Sequence, residues 1–454
     1  ESLDVPPTLV SFAVTTDKTE NIVSNEFKKA GNRVVLIKPD YDKNGLPDTT
    51  SLLNVYERVT ALLRSGKAVT CYTPTLGGIA EAVMKMCFGN SLGFKFADNL
   101  TANEIFGYCY GGFLLEVTEN IADAAEIGEI TADGKISYNG EEIGLERLLG
   151  IYENKLESVY RCNKQNPNTE MQTFSYTAEN RVSPAVKTAK PKVLIPVFPG
   201  TNCEYDSAKA MRDAGAEPEI FVINNRSAEN VAKSVEDFAN SLKTAQMVFI
   251  PGGFSGGDEP DGSGKFITAF FRNAAVKEQV TDLLDNRDGL MCGICNGFQA
   301  LIKLGLVPYG RIIDTDENCP TLTYNTIARH QSKIVRTRIA SNKSPWLAET
   351  EVGDIYSVPI SHGEGRFIAS DELILRLAEN GQIATQYVDE KGEATSDIHF
   401  NPNGSYYAIE GITSPDGRVF GKMGHSERYA ADLYKNVPGN YDIKMFRSAV
   451  KYFK

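Results

Sequence analysis

Apolar residues recur in two different rhythms along this chain, and the rhythm changes near residue 190. Before that point short alternating runs are mixed with helical stretches. Residues 9–14, 33–37, 68–72 and 108–117 read as strands, and residues 52–63, 79–87 and 145–160 place apolar side chains at helical spacing. Asp133-Gly134 and Asn139-Gly140 read as hairpin turns. The mixture predicts that residues 1–163 form an α+β unit with an antiparallel sheet. Residues 164–190 are polar and hold no sustained period, which predicts a linker or an irregular connecting segment.

From residue 191 to 454 short continuous apolar strands alternate with helices. Strands are predicted over 192–198, 219–223, 246–250 and 419–423, and helices over 204–214, 231–242 and 266–284. That order means βαβ units and a mostly parallel, doubly wound sheet, whose ligands bind beyond the carboxyl ends of the strands.

Residues 289–307, GLMCGICNGFQALIKLGLV, read as a buried strand, a tight turn and an amphipathic helix. Cys295 stands at the junction with Gly293 and Gly297 two positions to either side, the nucleophile-elbow spacing with Cys in place of Ser. The helix beginning there favours a thiolate through its free N–H groups and dipole. The bland alternative is a buried Cys in a tight strand–helix turn. Three features converge on it. The loop PGGFSGGD (251–258) ends a strand, and its backbone N–H groups around Gly253 and Phe254 suit an oxyanion hole. In Gly424-His425-Ser426-Glu427-Arg428, residues two apart on an extended chain share a side, so His425 and Glu427 can act as a base and its orienting carboxylate. Gln299, one turn into the helix, can hydrogen-bond an amide substrate. His362, with Glu364 two residues on, is a rival base.

Other motifs are weaker. Cys292 and Cys295 form a C-x-x-C pair without further zinc ligands near them, so no metal site is expected. The stretch GGDEPDGSGK (256–265) lacks Walker A spacing. In the first unit Thr75, Gly77 and Gly78 lie in a Gly-rich loop between a strand and a helix, where backbone N–H groups can meet a phosphate; a plain tight turn is the competing reading.

Composition narrows the classes. The net charge of −12 argues against a general nucleic-acid or anionic-membrane binder. Eight scattered Cys over 454 residues suggest reduced thiols and a cytoplasmic setting. No apolar run is long enough to span a bilayer. The start, ESLDVPPTLV, has no signal-peptide character and reads as the middle of something longer.

At these residues the chain resembles the class I glutamine amidotransferases, whose elbow reads G-x-C-x-G-x-Q and whose His and Glu lie two apart. It is similar in particular to the C-terminal part of the large single-chain phosphoribosylformylglycinamidine synthases. The matching segments are FPGTNCEYD (198–206), PGGFSGGDE (251–259), GICNGFQ (293–299), ISHGEGRF (360–367) and MGHSER (423–428). LDVPPTLVSFAV and TPTLGGIAEAV of the first unit resemble the C-terminal domain of the aminoimidazole ribonucleotide synthetase type within those enzymes. The resemblance implies Cys295, His425 and Glu427 as a glutaminase triad acting through a thioester, and Asn325 as a substrate contact. It implies ATP, Mg2+ and formylglycinamide ribonucleotide as ligands of the full-length enzyme, handled through an N-terminal half that this chain lacks; the glutaminase step needs no cofactor. Where the family often has Pro, this chain has Ser426, and His330 stands where an aromatic residue is usual. Another Cys-His-Glu hydrolase on the same fold, or a non-catalytic binding module, remains an alternative on the residues alone.

Overall fold

The computed structural model describes residues 7–162, 164, 171–255, 264–435 and 437–454. Two units separate, one drawn almost wholly from residues before Arg161 and one from Arg161 onward.

The first unit runs β1 (Arg33–Ile37), α1 (Thr49–Arg64), β2 (Ala68–Tyr72), α2 (Gly78–Phe88), β3 (Gly93–Phe96), α3 (Ala102–Phe106), β4 (Phe113–Val117), β5 (Ala125–Thr131), β6 (Lys135–Tyr138), β7 (Glu141–Gly144) and α4 (Leu145–Asn154). One sheet carries the strands in the order β2-β4-β1-β5-β3-β6-β7. Its pairs are antiparallel except β3 with β6. The continuous apolar run of β1 follows from burial on both faces. Val34 and Leu36 join the core that holds α2, while Val35 and Ile37 join the core that holds α1.

Two expectations fail here. Residues 9–14 form no strand, and Leu9, Val10, Phe12 and Val14 stand exposed. Alternation says which side of a strand would be buried, but a strand also needs an edge to pair with. Asp133-Gly134 does not close a hairpin between neighbours, because β3 inserts between β5 and β6. Asn139-Gly140 does join a paired β6 and β7, with φ of 50° and 83° at its two residues. Positive φ at both positions is what a two-residue turn of this hand requires.

The second unit begins with β8 (Lys192–Val197), α5 (Glu204–Asp213), β9 (Glu217–Val222), α6 (Ala228–Leu242), β10 (Met247–Ile250), α7 (Lys265–Phe271), α8 (Ala274–Asp285), β11 (Leu290–Ile294) and α9 (Asn296–Leu304). The strands β12 (Thr321–Thr323), β13 (Gln331–Ile339), β14 (Ile355–His362), β15 (Arg366–Ile368), β16 (Ile383–Tyr387), β17 (Ile409–Thr413) and β18 (Val419–Lys422) follow. The main sheet has the order β14-β13-β16-β17-β18-β11-β10-β8-β9. From β18 to β9 every pair is parallel, and from β14 to β18 every pair is antiparallel. The α/β sheet expected from the sequence is thus present, with an antiparallel extension on one side. Every residue of β10, β11 and β18 is buried, as strands covered on both faces must be. The helix expected over 266–284 breaks after Phe271, where the Asn273 side chain accepts the Ala275 N–H and starts α8 afresh. The irregular connecting segment is docked rather than loose. Phe174 lies in the core of this unit, its N–H donates to Gln386 at 2.8 Å, and Arg181 donates to the Asn342 carbonyl at 2.7 Å. Residues 165–170 of that segment lie outside the described residues. Among the described residues no helix is long and apolar enough to cross a membrane.

Candidate active site

The carboxyl ends of four adjacent parallel strands supply the site: Cys203 follows β8, Gly252 and Gly253 follow β10, Cys295 follows β11 and His425 follows β18. Cys295 takes φ 54° and ψ −107° as it caps α9, a left-handed conformation strained for a side-chain-bearing residue. The flanking glycines have a packing cause. A Cβ on Gly293 would collide with the Gly297 backbone, and one on Gly297 would collide with the Ile250 carbonyl. The elbow therefore lets α9 lie directly on the strands beneath it.

The thiol of Cys295 is buried and donates to the Ser361 carbonyl at 3.8 Å. Burial pushes its pKa well above the ordinary thiol range, and the nearby Cys203 and Glu427 push the same way. The backbone N–H of Asn296 opposes them by donating to the sulfur. The helix terminus expected to favour a thiolate is present, and desolvation outweighs it. The Cys295 sulfur is therefore held as a thiol.

His425 stands beside it, across the position of Gly252. Its Nδ1 meets Glu427 Oε1 at 2.6 Å, with both side chains buried. A carboxylate can only accept, so Nδ1 carries the proton and Nε2 is left as the acceptor. Among the described residues Nε2 bonds to nothing. Burial works to raise the Glu427 pKa, but the charge and hydrogen bond of His425 overcome it, and the carboxyl sits below its usual value. Base and nucleophile border one small space: a Cβ on Gly252 would lie 2.7 Å from His425 Cε1 and 3.4 Å from Cys295 Cβ. The pairing of His425 with Glu427 is as the sequence suggested, but its cause differs. Residues 424–428 form a turn, with Ser426 N–H on the Gly424 carbonyl and Arg428 N–H on the His425 carbonyl, not an extended segment.

The two N–H groups expected to form an oxyanion hole fare differently. Gly253 N–H bonds to nothing among the described residues. Phe254 N–H is committed to the Gly200 carbonyl at 2.8 Å and is not available. The Asn296 N–H, which points at the sulfur, is a second candidate. The rule that the residue after an elbow nucleophile supplies such a donor would have found it. The Asn296 side chain ties the start of α9 to the end of the 251–255 loop, since its Oδ1 accepts from Ser255 Oγ at 2.6 Å and from Ser255 N–H at 3.3 Å. Residues 256–263, including the rest of the Gly-rich loop and most of GGDEPDGSGK, lie outside the described residues.

Gln299 and Asn325 act as braces. Gln299 accepts from Asn296 at 2.9 Å and donates to the Glu364 carbonyl at 2.6 Å. Asn325 donates to the His362 and Arg329 carbonyls and accepts the Gly365 N–H at 3.1 Å. Both help to fix the 362–365 segment. His362 is fully buried and meets Asn403 Oδ1 at 2.8 Å through Nε2. Burial lowers its pKa to about 3, so it stays neutral and is a poor base beside His425. His330 meets Ser361 Oγ at 3.0 Å and its ring lies 6.1 Å from that of Phe254.

Cys203 is the participant that sequence reasoning left without a role. Its sulfur lies 3.8 Å from His425 Nδ1 and accepts from Arg428 at 3.0 Å, and burial pushes its pKa up to about 12. Cys203, His425 and Glu427 place possible metal-ligating atoms within 4.8 Å of one another. The close Nδ1–carboxylate bond and the guanidinium against the sulfur suit proton handling better than a cation. In the first unit, Thr75 Oγ1 and Gly77 N–H both donate to Glu81 Oε2, at 3.1 and 2.9 Å, and Gly78 N–H is held by the Thr75 carbonyl. That loop is closed by its own carboxylate and does not fit a phosphate.

Comparison with known proteins follows the second unit. Residues 190–453 match the family described as CobB/CobQ-like glutamine amidotransferase domain. The phosphoribosylformylglycinamidine synthase subunit PurQ of Methanococcus maripaludis (strain C7) is 37% identical over 257 residues, 56% of this chain and 87% of that protein. The PurQ subunit of Aquifex aeolicus is 32% identical over 250 residues, 55% of this chain and 95% of that protein. Among solved structures, PurLQS from Thermotoga maritima aligns with a TM-score of 0.42 at 25% identity, covering 58% of this chain and all of that one. With its elbow cysteine and buried His–Glu pair in place, the chain belongs to the CobB/CobQ-like glutamine amidotransferase family.

Proposed function

We propose that this chain is the C-terminal part of a large single-chain phosphoribosylformylglycinamidine synthase, and that its second unit hydrolyses glutamine to supply ammonia. The observation that carries the reading is Cys295 at a strained elbow beside a His425–Glu427 pair at 2.6 Å. The relatives over residues 190–453 are named as one subunit of that synthase; here an α+β unit precedes the same domain in one chain.

In the mechanism His425 Nε2 takes the Cys295 proton as sulfur attacks the side-chain carbonyl carbon of glutamine. Gly253 and Asn296 N–H groups hold the oxyanion, each worth about 3 kcal/mol in chemistry of this kind. The carbon–nitrogen bond breaks, His425 returns the proton to the departing ammonia, and a γ-glutamyl thioester remains. Water, deprotonated by His425, then attacks the thioester, and glutamate leaves as the Cys295 thiol re-forms. Glu427 keeps the proton on Nδ1 and stabilises the imidazolium. The ammonia aminates formylglycinamide ribonucleotide, activated by ATP with Mg2+, in the portion of the synthase outside this chain. The first unit forms part of the synthase half whose remaining domains lie outside this chain, and its 75–78 loop, closed by Glu81, is not the ATP site.

The reading is tested by acid-quenching the chain during glutamine turnover and mapping adducts by mass spectrometry. A γ-glutamyl group on Cys295 is expected, with no amidine formed by the isolated chain from ATP, glutamine and the ribonucleotide. Amidine formation by the chain alone, or glutamate release without a Cys295 adduct, would overturn it.

A further inference from the structure

Beneath the site lies an ion pair that the mechanism above does not use. Lys422 and Glu410 are both fully buried, and Nζ lies 3.2 Å from Oε1. Burying two charges costs several kcal/mol each, so such a pair is weak evidence of a contribution to stability. Its hydrogen bonds show where it acts. Lys422 Nζ donates to the Gly424 carbonyl and to Ser426 Oγ, each at 3.0 Å. Glu410 Oε1 accepts the Gly424 N–H at 2.6 Å, while Oε2 accepts from Thr385 Oγ1. The residues on either side of His425 are thus gripped by one buried pair. The His425 N–H is tied separately to the Pro359 carbonyl at 2.8 Å. The backbone of Lys422 reaches the other half of the site, because its carbonyl accepts the Cys295 N–H at 2.9 Å. One residue therefore touches the nucleophile through its main chain and the turn of the base through its side chain. Ser426 matters to this arrangement, since a proline there would offer no hydroxyl to the ammonium.

We infer that Lys422 and Glu410 are positioning residues that set the register of the His425 turn against the Cys295 elbow. The inference rests on the amidotransferase reading. Neither side chain touches the reacting atoms. Loss of the pair would let residues 424–426 re-form their hydrogen bonds elsewhere and displace His425 Nε2 from the sulfur. A misplacement of about 1 Å in such a site costs ~100-fold in rate. Substrate binding, which relies on other groups, would change little.

Lys422→Met alone leaves a buried, uncompensated carboxylate and can fail to fold. The informative variant is therefore the double replacement Lys422→Met/Glu410→Leu, compared with both single variants and wild type in the full chain. Two quantities are read: Tm, and the inactivation of Cys295 by a glutamine-like chloroketone, resolved into binding and maximal rate. The expected result separates them. The double variant regains most of the Tm lost by the singles, yet its maximal inactivation rate stays ~10- to 100-fold down with binding within about threefold. Ser426→Ala lowers the same rate by a smaller factor. A double variant that regains both Tm and rate would overturn the inference and leave the pair a structural filler. A wild-type chain that does not react at all would instead overturn the amidotransferase reading beneath it.

Discussion

Two glycine-rich strand-to-helix junctions in this chain began with the same promise and ended with different chemistry. At residues 73–78 the start of α2 is closed by the chain's own Glu81, which takes the Gly77 N–H and the Thr75 hydroxyl. At residues 293–297 the start of α9 is left facing a buried thiol, and among the described residues Gly253 N–H and His425 Nε2 bond to nothing. A helix N-terminus is a site only when the local sequence leaves its donors unspent. Glu81 stands on α2 itself, so in the first unit helix and cap come as one segment, whereas in the second the groups around the thiol come from separate strands.

Five substitutions probe this difference. Cys295→Ala is the largest: glutamine hydrolysis should fall by about six orders of magnitude, as for loss of a catalytic nucleophile, with Tm nearly unchanged in a scanning-calorimetry comparison. Retained hydrolysis would place the chemistry elsewhere. Gly297→Ala should cost about 3 kcal/mol in denaturant unfolding of the second unit, since its Cβ meets a backbone carbonyl that cannot retreat. Gly77→Ala should also destabilise its own unit, because its Cβ would lie 2.5 Å from Glu81 Cβ, which α2 holds in place.

His362 sharpens the contrast through pH. Its pKa is lowered from 6.5 to about 3 in the folded state, so the unfolded chain binds the extra proton first. Stability is full above pH 6.5 and is lost as pH falls toward 3, by at most ~1.4 kcal/mol per pH unit. His362→Gln should remove that part of the slope in urea titrations at stepped pH, and an unchanged slope would mean the imidazole is not held neutral. The smallest effect is at Glu81. Replacing it by Ala should cost ~1 kcal/mol as a lost helix cap and dipole partner. Inorganic phosphate should then raise the Tm of the variant but not of wild type. Phosphate stabilising both alike would show that the 75–78 loop is open after all.

Much of the site was legible because its constraints are local. Gly293, Cys295 and Gly297 are spaced by the sharpness of one turn, and a strand followed by an apolar helix frames them. His425 and Glu427 were paired correctly, although a turn rather than an extended chain brings them together. What stayed hidden depends on partners far along the chain. Nothing near Phe254 announces that its N–H is spent on Gly200, and nothing near Gln299 announces the Glu364 carbonyl. The same holds for fold: β3 enters between β5 and β6 from more than a turn away, and residues 9–14 have a strand's pattern without an edge to join. Lys422 and Glu410 lie in apolar-looking runs, where a sequence shows a charged interruption but not its mate.

The central claim is that Cys295, alone among the thiols, is made reactive toward glutamine by its surroundings. The direct measurement is to treat the full chain with a glutamine-like electrophile, with and without glutamine as competitor, and to map every modified cysteine by mass spectrometry, using Cys295→Ala as control. Labelling at Cys295 that glutamine suppresses is expected, with the neighbouring Cys203 unmodified. Labelling spread over several thiols, centred on Cys203, or indifferent to glutamine would contradict it.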